Sequence, residues 1–408
     1  MLGDTIRKIR KQKKLTLEAL AGEELTKGML SLIENNKAKP SMESLAYIAK
    51  RLDVEVTELL EEVSTQEIRD ILEKAEVLFN SKSETVTDNY KQLLSLIEPY
   101  KNNLTQGYES ARLLDIYSRS LYEEKSTCWE QFLDRAAAMY DQMNLTSNRA
   151  QIAIFRSMVK FVEHDYSKAL EILVKERAEI ESNHVTIDPM TRVDLDYTEG
   201  VLHFAVGDEH AAAEIMENAI NFSKRHKIFY RIDDLYRLGA GQAMMRKDKG
   251  KLELYLQKLK QYGDFADDAL SILIHDLINI ITLIEEKQQY TKALERIDAY
   301  LADPKVKEVV EELYLIEKGK ALYGLEQYKE AILHFEKVET PSTTHHPFDL
   351  SLFYVRYSYK ALSHYGLGEM EEALLAAKLA VENFETLPHT PYKEFASKTY
   401  HKINPVQD

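Results

Sequence analysis

"TKGMLSLIENNKAKPSMESLAYIAKRL", residues 26–52, holds two amphipathic helical patterns separated by a basic turn, "NNKAKP". Proline at position 40 cannot continue the first helix, and it restarts the chain as a second. Thr26 suits an N-cap for the first helix, and Ser41, with Ser44 in the first turn, suits the second. The spacing buries Leu30 and Ile33 on the first helix, and Leu45, Ile48, Ala49 and Leu52 on the second. Upstream, Leu2, Ile6 and Ile9 form one stripe over residues 2–13, with Arg7, Lys8, Arg10 and Lys11 off it. Thr16 is an N-cap for "LEALAG", which Gly22 ends. "VTELLEE" (56–62) closes the series with Leu59 and Leu60. The pattern predicts a bundle of five short helices over residues 1–62.

The charge is partitioned. Residues 1–52 hold 11 Lys and Arg against 6 Asp and Glu, whereas the whole chain carries 53 against 68, a net of −15. A small basic head can approach a polyanion, and the acidic remainder is repelled by one. An isolated run such as "RKIRKQKK" is usually a solvated helix face; its place within this helical series favours nucleic acid instead.

At 408 residues the chain exceeds a single ordinary core. Apolar residues make up 44%, too many for a disordered chain, and Gly (14) and Pro (9) are scarce, so an all-α protein is expected. A lone cysteine, Cys128, excludes an internal disulfide and fits a reducing compartment. "SILIHDLINIITLI" (271–284) is too short and too polar to span a bilayer, and no apolar segment follows the charged start. A cytoplasmic protein without membrane attachment is the expectation.

The order "LGDTIRKIRKQKKLTLEALA", "LSLIEN", "PSMESLAYIAKRL…ELL" resembles the Xre/Cro-type helix-turn-helix domain over about the first 60 residues. The segment between Ala21 and Glu34 is one residue shorter than the usual pattern, and the turn glycine is absent or displaced to Gly22. The resemblance implies that the third helix enters the major groove of double-stranded DNA and that the following loop meets phosphates. It gives Thr26, Lys27, Gly28, Ser31, Leu32 and Asn35 to the groove, and Lys37 and Lys39 to the backbone. Lys27 suits guanine, Ser31 several bases and Leu32 a thymine methyl, and Gly28 permits close approach. Domains of this kind pair to read two half-sites, which implies a homodimer or higher homo-oligomer.

After a joint at 63–66, residues 67–408 repeat loosely. "GVLHFAVGDEHAAAEIMENAI" (200–220), "GKALYGLEQYKEAILHFEKV" (319–338) and "KALSHYGLGEMEEALLAAKLA" (360–380) place small residues alike, at Gly200, Ala212 and Ala219, then Gly319 and Ala331, then Ala361, Ala373 and Ala380. Ala169 and Ala293 mark the second half of the same unit, and a poorly matching copy lies around 240–256. This looks like a stretched tetratricopeptide repeat, with a spacing of about 40 residues rather than the usual 34 or so. Stacked helix pairs offer a concave face to an extended peptide. The polar residues expected there are Asn148, Arg156, Asp194, Tyr197, Tyr230, Arg231, Arg237, Asp276, Asn279, Tyr354 and Arg356. Asn279, in a nearly continuous apolar helix, suits a peptide-backbone clamp or a core amide bonded to a neighbouring helix.

A Cro-type head on such a body resembles the RRNPP receptors of Gram-positive bacteria, and "LTKGMLSLIENNKAKPSMESL" looks most like their NprR-type branch. The resemblance implies a quorum-sensing transcriptional regulator switched by a short signalling peptide. An alternative implied by relatives without the head is binding, and dephosphorylation, of a phosphorelay response regulator, docked on the acidic helices at 66–130; a glutamine such as Gln92 or Gln131 could orient water there, though glutamines on helices are ordinarily just solvated. No P-loop, GxGxxG, GxSxG or HExxH occurs, so a non-enzyme without cofactor is expected. "STTHHPFD" (342–349) pairs His345 and His346 without spaced partners, a poor metal site and more simply loop histidines.

Overall fold

The computed structural model describes residues 2–56, 59, 65–81, 86–303 and 310–404; among them every regular element is an α-helix. The chain divides into two compact units, residues 1–152 and 153–408. The first holds α1 (Leu2–Gln12), α2 (Leu17–Ala21), α3 (Lys27–Glu34), α4 (Met42–Leu52), α5 (Thr65–Phe79), α6 (Val86–Ile97), α7 (Tyr108–Glu123), α8 (Trp129–Gln142) and the start of α9 (Thr146–Val162). Most of the expected helix at 56–62 and the first half of the joint at 63–66 lie outside the described residues. Thr65 and Gln66, placed in that joint by the sequence, open α5.

The head follows its local signals. Thr16, Thr26 and Ser41 each accept a backbone N–H from three residues on, at Ala19, Met29 and Ser44. Ile6, Leu20, Leu30, Ile33, Leu45, Ile48, Leu52 and Leu59 form the core. Arg10, expected on the basic face, turns inward. Its Nε and Nη2 donate to Glu34 at 2.6 and 2.8 Å, and Nη1 to the Leu15 carbonyl at 2.8 Å. Glu34 is buried beside the core, and this two-pronged pair satisfies it.

The second unit stacks helix pairs. α9 precedes α10 (Tyr166–Asn183). Then come α11 (Pro189–Ala205) with α12 (Glu209–His226), and α13 (Ile232–Met245) with α14 (Lys249–Ala266). These are followed by α15 (Ala269–Glu285) with α16 (Tyr290–Leu301) and α17 (Glu311–Gly324) with α18 (Tyr328–Glu336). α19 (Pro347–Leu367) with α20 (Met370–Phe384) and α21 (Pro391–Ile403) complete the unit.

The repeat is most regular where the sequence is least so. Ala169, Ala212, Ala293, Ala331 and Ala373 are all buried, and each N–H bonds the carbonyl of the residue capping its helix. Leu252 holds that position in α14, the poorly matching copy. Just before each cap stands a left-handed residue, at His164, Gly207, Lys247, Gln288, Glu326 and Gly368. Only two of these are glycine, so the sequence hides the turn. Buried charge also ties three pairs together: Lys320 Nζ lies 2.5 Å from Glu285 Oε1 and 2.9 Å from Glu317 Oε1, over the Tyr359 ring.

Candidate functional site

Two places in the molecule are candidate sites. The first is the outer face of α3 and the turn after it. Asn36, with φ of 55°, lets the backbone reverse, and its side chain accepts from Gly3 N and donates to Asp4, both at 2.9 Å. Any side chain at Gly3 would meet the Ile33 carbonyl, with Cβ 2.1 Å away. The turn is therefore held rigidly against α1. Thr26, Lys27, Gly28, Leu32, Asn35, Lys37 and Lys39 are exposed and Ser31 is partly so. Thr26 is spent on its cap, and Asn35 Nδ2 on the Ser31 carbonyl at 2.7 Å. Lys27 pairs with Glu18, an exposed contact of little strength. Lys37 and Lys39 make no ion pair among the described residues. Met29 and Met42 add exposed apolar surface that the sequence reading passed over.

The second place is a chamber of about 590 Å³ in unit two. Its walls come from α9, α11, α13, α15, α17 and α19, the first helices of successive pairs, and from the loop at 341–346. Phe161, Phe204 and Phe348 gather around the His346 ring or each other, at centroid distances of 6.1, 4.9 and 5.7 Å. His346 is held as a neutral tautomer. Its Nδ1 accepts from Phe348 N at 3.1 Å, and its Nε2 donates to the Val201 carbonyl at 3.3 Å. Burial pushes its pKa down to about 4. Gly241 leaves room for Phe348, whose ring would sit 3.0 Å from an added Cβ.

Of the expected peptide contacts, Tyr197 and Arg237 line this chamber. Burial, then the Asp234 carboxylate, raises the Tyr197 phenol to about 12. Arg237 Nη2 bonds Asp233 at 3.1 Å and also Asp234. Arg231 is shared by Asp194 and Asp234 and lies over the Tyr197 ring at 4.9 Å, while Tyr230 donates to Asp194 at 3.0 Å. These charges thus largely satisfy one another.

The other expected contacts lie elsewhere. Asn148 belongs to the first unit. Arg156 pairs with Glu176. Asp276 takes the Tyr300 hydroxyl, and Asn279 donates to the His275 carbonyl one turn back, at 3.0 Å. Tyr354 packs edge-on against Phe384. Arg356 is buried and donates to Thr340 Oγ1, the Phe353 carbonyl and Tyr357 Oη at 3.1, 2.8 and 2.8 Å.

Two carboxylates in the wall were not anticipated. Asp349 stays accessible within the chamber while protein surrounds it, and that enclosure pushes its pKa up to about 6 against the pull of Arg237. Neither Asp349 nor Glu312 has a hydrogen bond or ion pair among the described residues. Their sequence signal was slight: an acid in the first turn of a helix is ordinarily a dipole partner.

Several solved structures are distantly similar. PlcR of Bacillus thuringiensis, in complex with the peptide PapR7 and DNA, is 16% identical at a TM-score of 0.34, covering 67% of this chain and 98% of its own. ComR of Streptococcus vestibularis, in complex with its signalling peptide XIP, is 20% identical at 0.37, covering 67% and 95%. The SHP pheromone receptor Rgg2 of Streptococcus dysgalactiae is 17% identical at 0.31, covering 68% and 99%. No curated protein matches the chain, and among the described residues no helix is long and apolar enough to cross a membrane. Residues 3–64 match the model described as "Helix-turn-helix domain", and the head of this chain is therefore a helix-turn-helix domain.

Proposed function

We propose that this chain is a peptide-responsive transcriptional regulator of the RRNPP kind. α3 enters the major groove, Lys37 and Lys39 meet phosphates, and a short signalling peptide occupies the chamber. The observation that carries this is one chain combining a helix-turn-helix head, whose α3 face and following lysines are exposed, with a chamber walled by successive repeat helices. A cavity of this size, mostly apolar with a few convergent polar groups, suits a small ligand or part of a peptide.

The chain acts as a homodimer or higher homo-oligomer, because a single head of this kind reads only one half-site. The peptide prefers one of two conformations of the repeat body and shifts the population. Coupling of about 1–3 kcal/mol is typical of such linkage. The test is the double variant Lys27→Ala, Lys37→Ala, followed by fluorescence anisotropy on duplex DNA at about 50 mM salt, where phosphate contacts are strongest. DNA binding is expected to collapse while peptide capture persists; a variant that binds duplex as the parent does would contradict the reading of the head.

A further inference from the structure

Among the described residues, the chamber wall carries an imbalance of charge that Arg237 offsets only in part. Its charged members are Asp234, Glu312 and Asp349 against Arg237 alone. Arg237 is already committed to Asp233 and Asp234, and Arg231 nearby is committed to Asp194 and Asp234. His346 has both ring nitrogens engaged as a neutral imidazole. Among the described residues, Asp349 and Glu312 remain without a hydrogen bond or ion pair, set in a wall that is mostly aromatic and aliphatic. For Asp349, the surrounding protein disfavours the charged form until a cation reaches it.

We propose that the chamber selects a ligand bearing a cationic group, a lysine or arginine side chain or a free amino terminus, set against Asp349 and flanked by apolar side chains. This rests on the reading of the chamber as the peptide site. Asp349 stands in the first turn of α19, beside Phe348 and across from Arg237 and Tyr197. A bound cation would be held between an unpaired acid and aromatic rings, a setting that favours it twice. An acidic ligand would meet like charge from Asp349 and Glu312 and, among the described wall residues, only Arg237, whose Nη2 is already held by Asp233 and Asp234.

The test uses the full chain and a randomised heptapeptide library, half of it amino-terminally acetylated, with retained peptides sequenced by mass spectrometry. The wild type is expected to enrich lysine, arginine or free amino termini, and Asp349→Asn is expected to lose that enrichment. For one retained peptide, replacing its cation by a neutral isostere should weaken binding to the wild type by about tenfold to a hundredfold, the worth of a charged hydrogen bond. The same replacement should weaken binding to Asp349→Asn by less than about threefold. Retained peptides with no cationic preference would overturn the proposal and leave the peptide site standing. Retention of no peptide at all would overturn both.

Discussion

The protein around Asp349 holds its carboxyl above the usual carboxylate range, although the side chain stays accessible from the chamber. Its pKa stands near 6 in the folded chain against a reference of 3.8, because enclosure disfavours the charged form. The folded state therefore holds its proton to higher pH than the unfolded state does. Stability falls as pH rises through the window between those values, and the cost is complete above about 6. The groups facing it are Arg237 and Asp234 from α13, Tyr197 from α11, Glu312 from α17 and the loop histidines, whose pKa values are lowered and which stay neutral near pH 7. Asp349→Asn should melt at a higher temperature than the wild type at pH 7, with the gap narrowing toward pH 5; equal melting at both would refute the strain. Arg10 and Lys37 make the opposite contrast. Removing Arg10 leaves Glu34 buried and uncompensated, which should cost the head about 3–5 kcal/mol in denaturant titration. Lys37→Ala should change stability by less than about 0.5 kcal/mol and reduce the slope of log affinity for DNA against log salt by about 1. Nothing in the sequence separates these two cations, because the partner of Arg10 lies on another helix.

At the scale of the element, glycines separate packing from function. Gly319 faces Phe335, whose Cε1 would sit 2.4 Å from an added Cβ. Gly319→Ala should destabilise unit two by about 1–3 kcal/mol through overpacking, measurable by calorimetry. Gly28 in α3 has open space, with Thr26 Oγ1 the nearest atom at 4.0 Å. Gly28→Ala should stabilise the head by up to about 1 kcal/mol, since alanine is the better helix former. Should it still weaken DNA binding, the glycine serves approach to the duplex; unchanged DNA affinity would remove Gly28 from the interface. The elements themselves were largely legible. Thr16, Thr26 and Ser41 announce their helices because capping is local, and the buried alanines mark the repeats because close packing demands small residues at fixed spacing. The chamber was not legible. Its walls gather residues from Met158 to Phe353, and the 341–346 loop that completes it reads as ordinary polar connection. The sequence does not show the partners of the polar repeat residues: neighbouring aspartates already hold Arg231 and Arg237.

At the scale of the whole molecule, charge divides the work. An acidic body would repel a polyanion, so any affinity for DNA must come from the head and fall steeply with salt. The helix-turn-helix match and the exposed lysines after α3 both lie in that head, whereas the chamber lies in the second unit. On the proposed function, free energy passes from one unit to the other, and linkage requires the effect to be reciprocal. The most direct test is the affinity of the full chain for a duplex selected from a random pool at about 50 mM salt, measured by anisotropy with and without a peptide retained by the chamber. The account predicts tight binding in one condition and a shift of about 5- to 150-fold in the other. Identical affinities with and without the peptide, or no retention of any duplex at that salt, would contradict it.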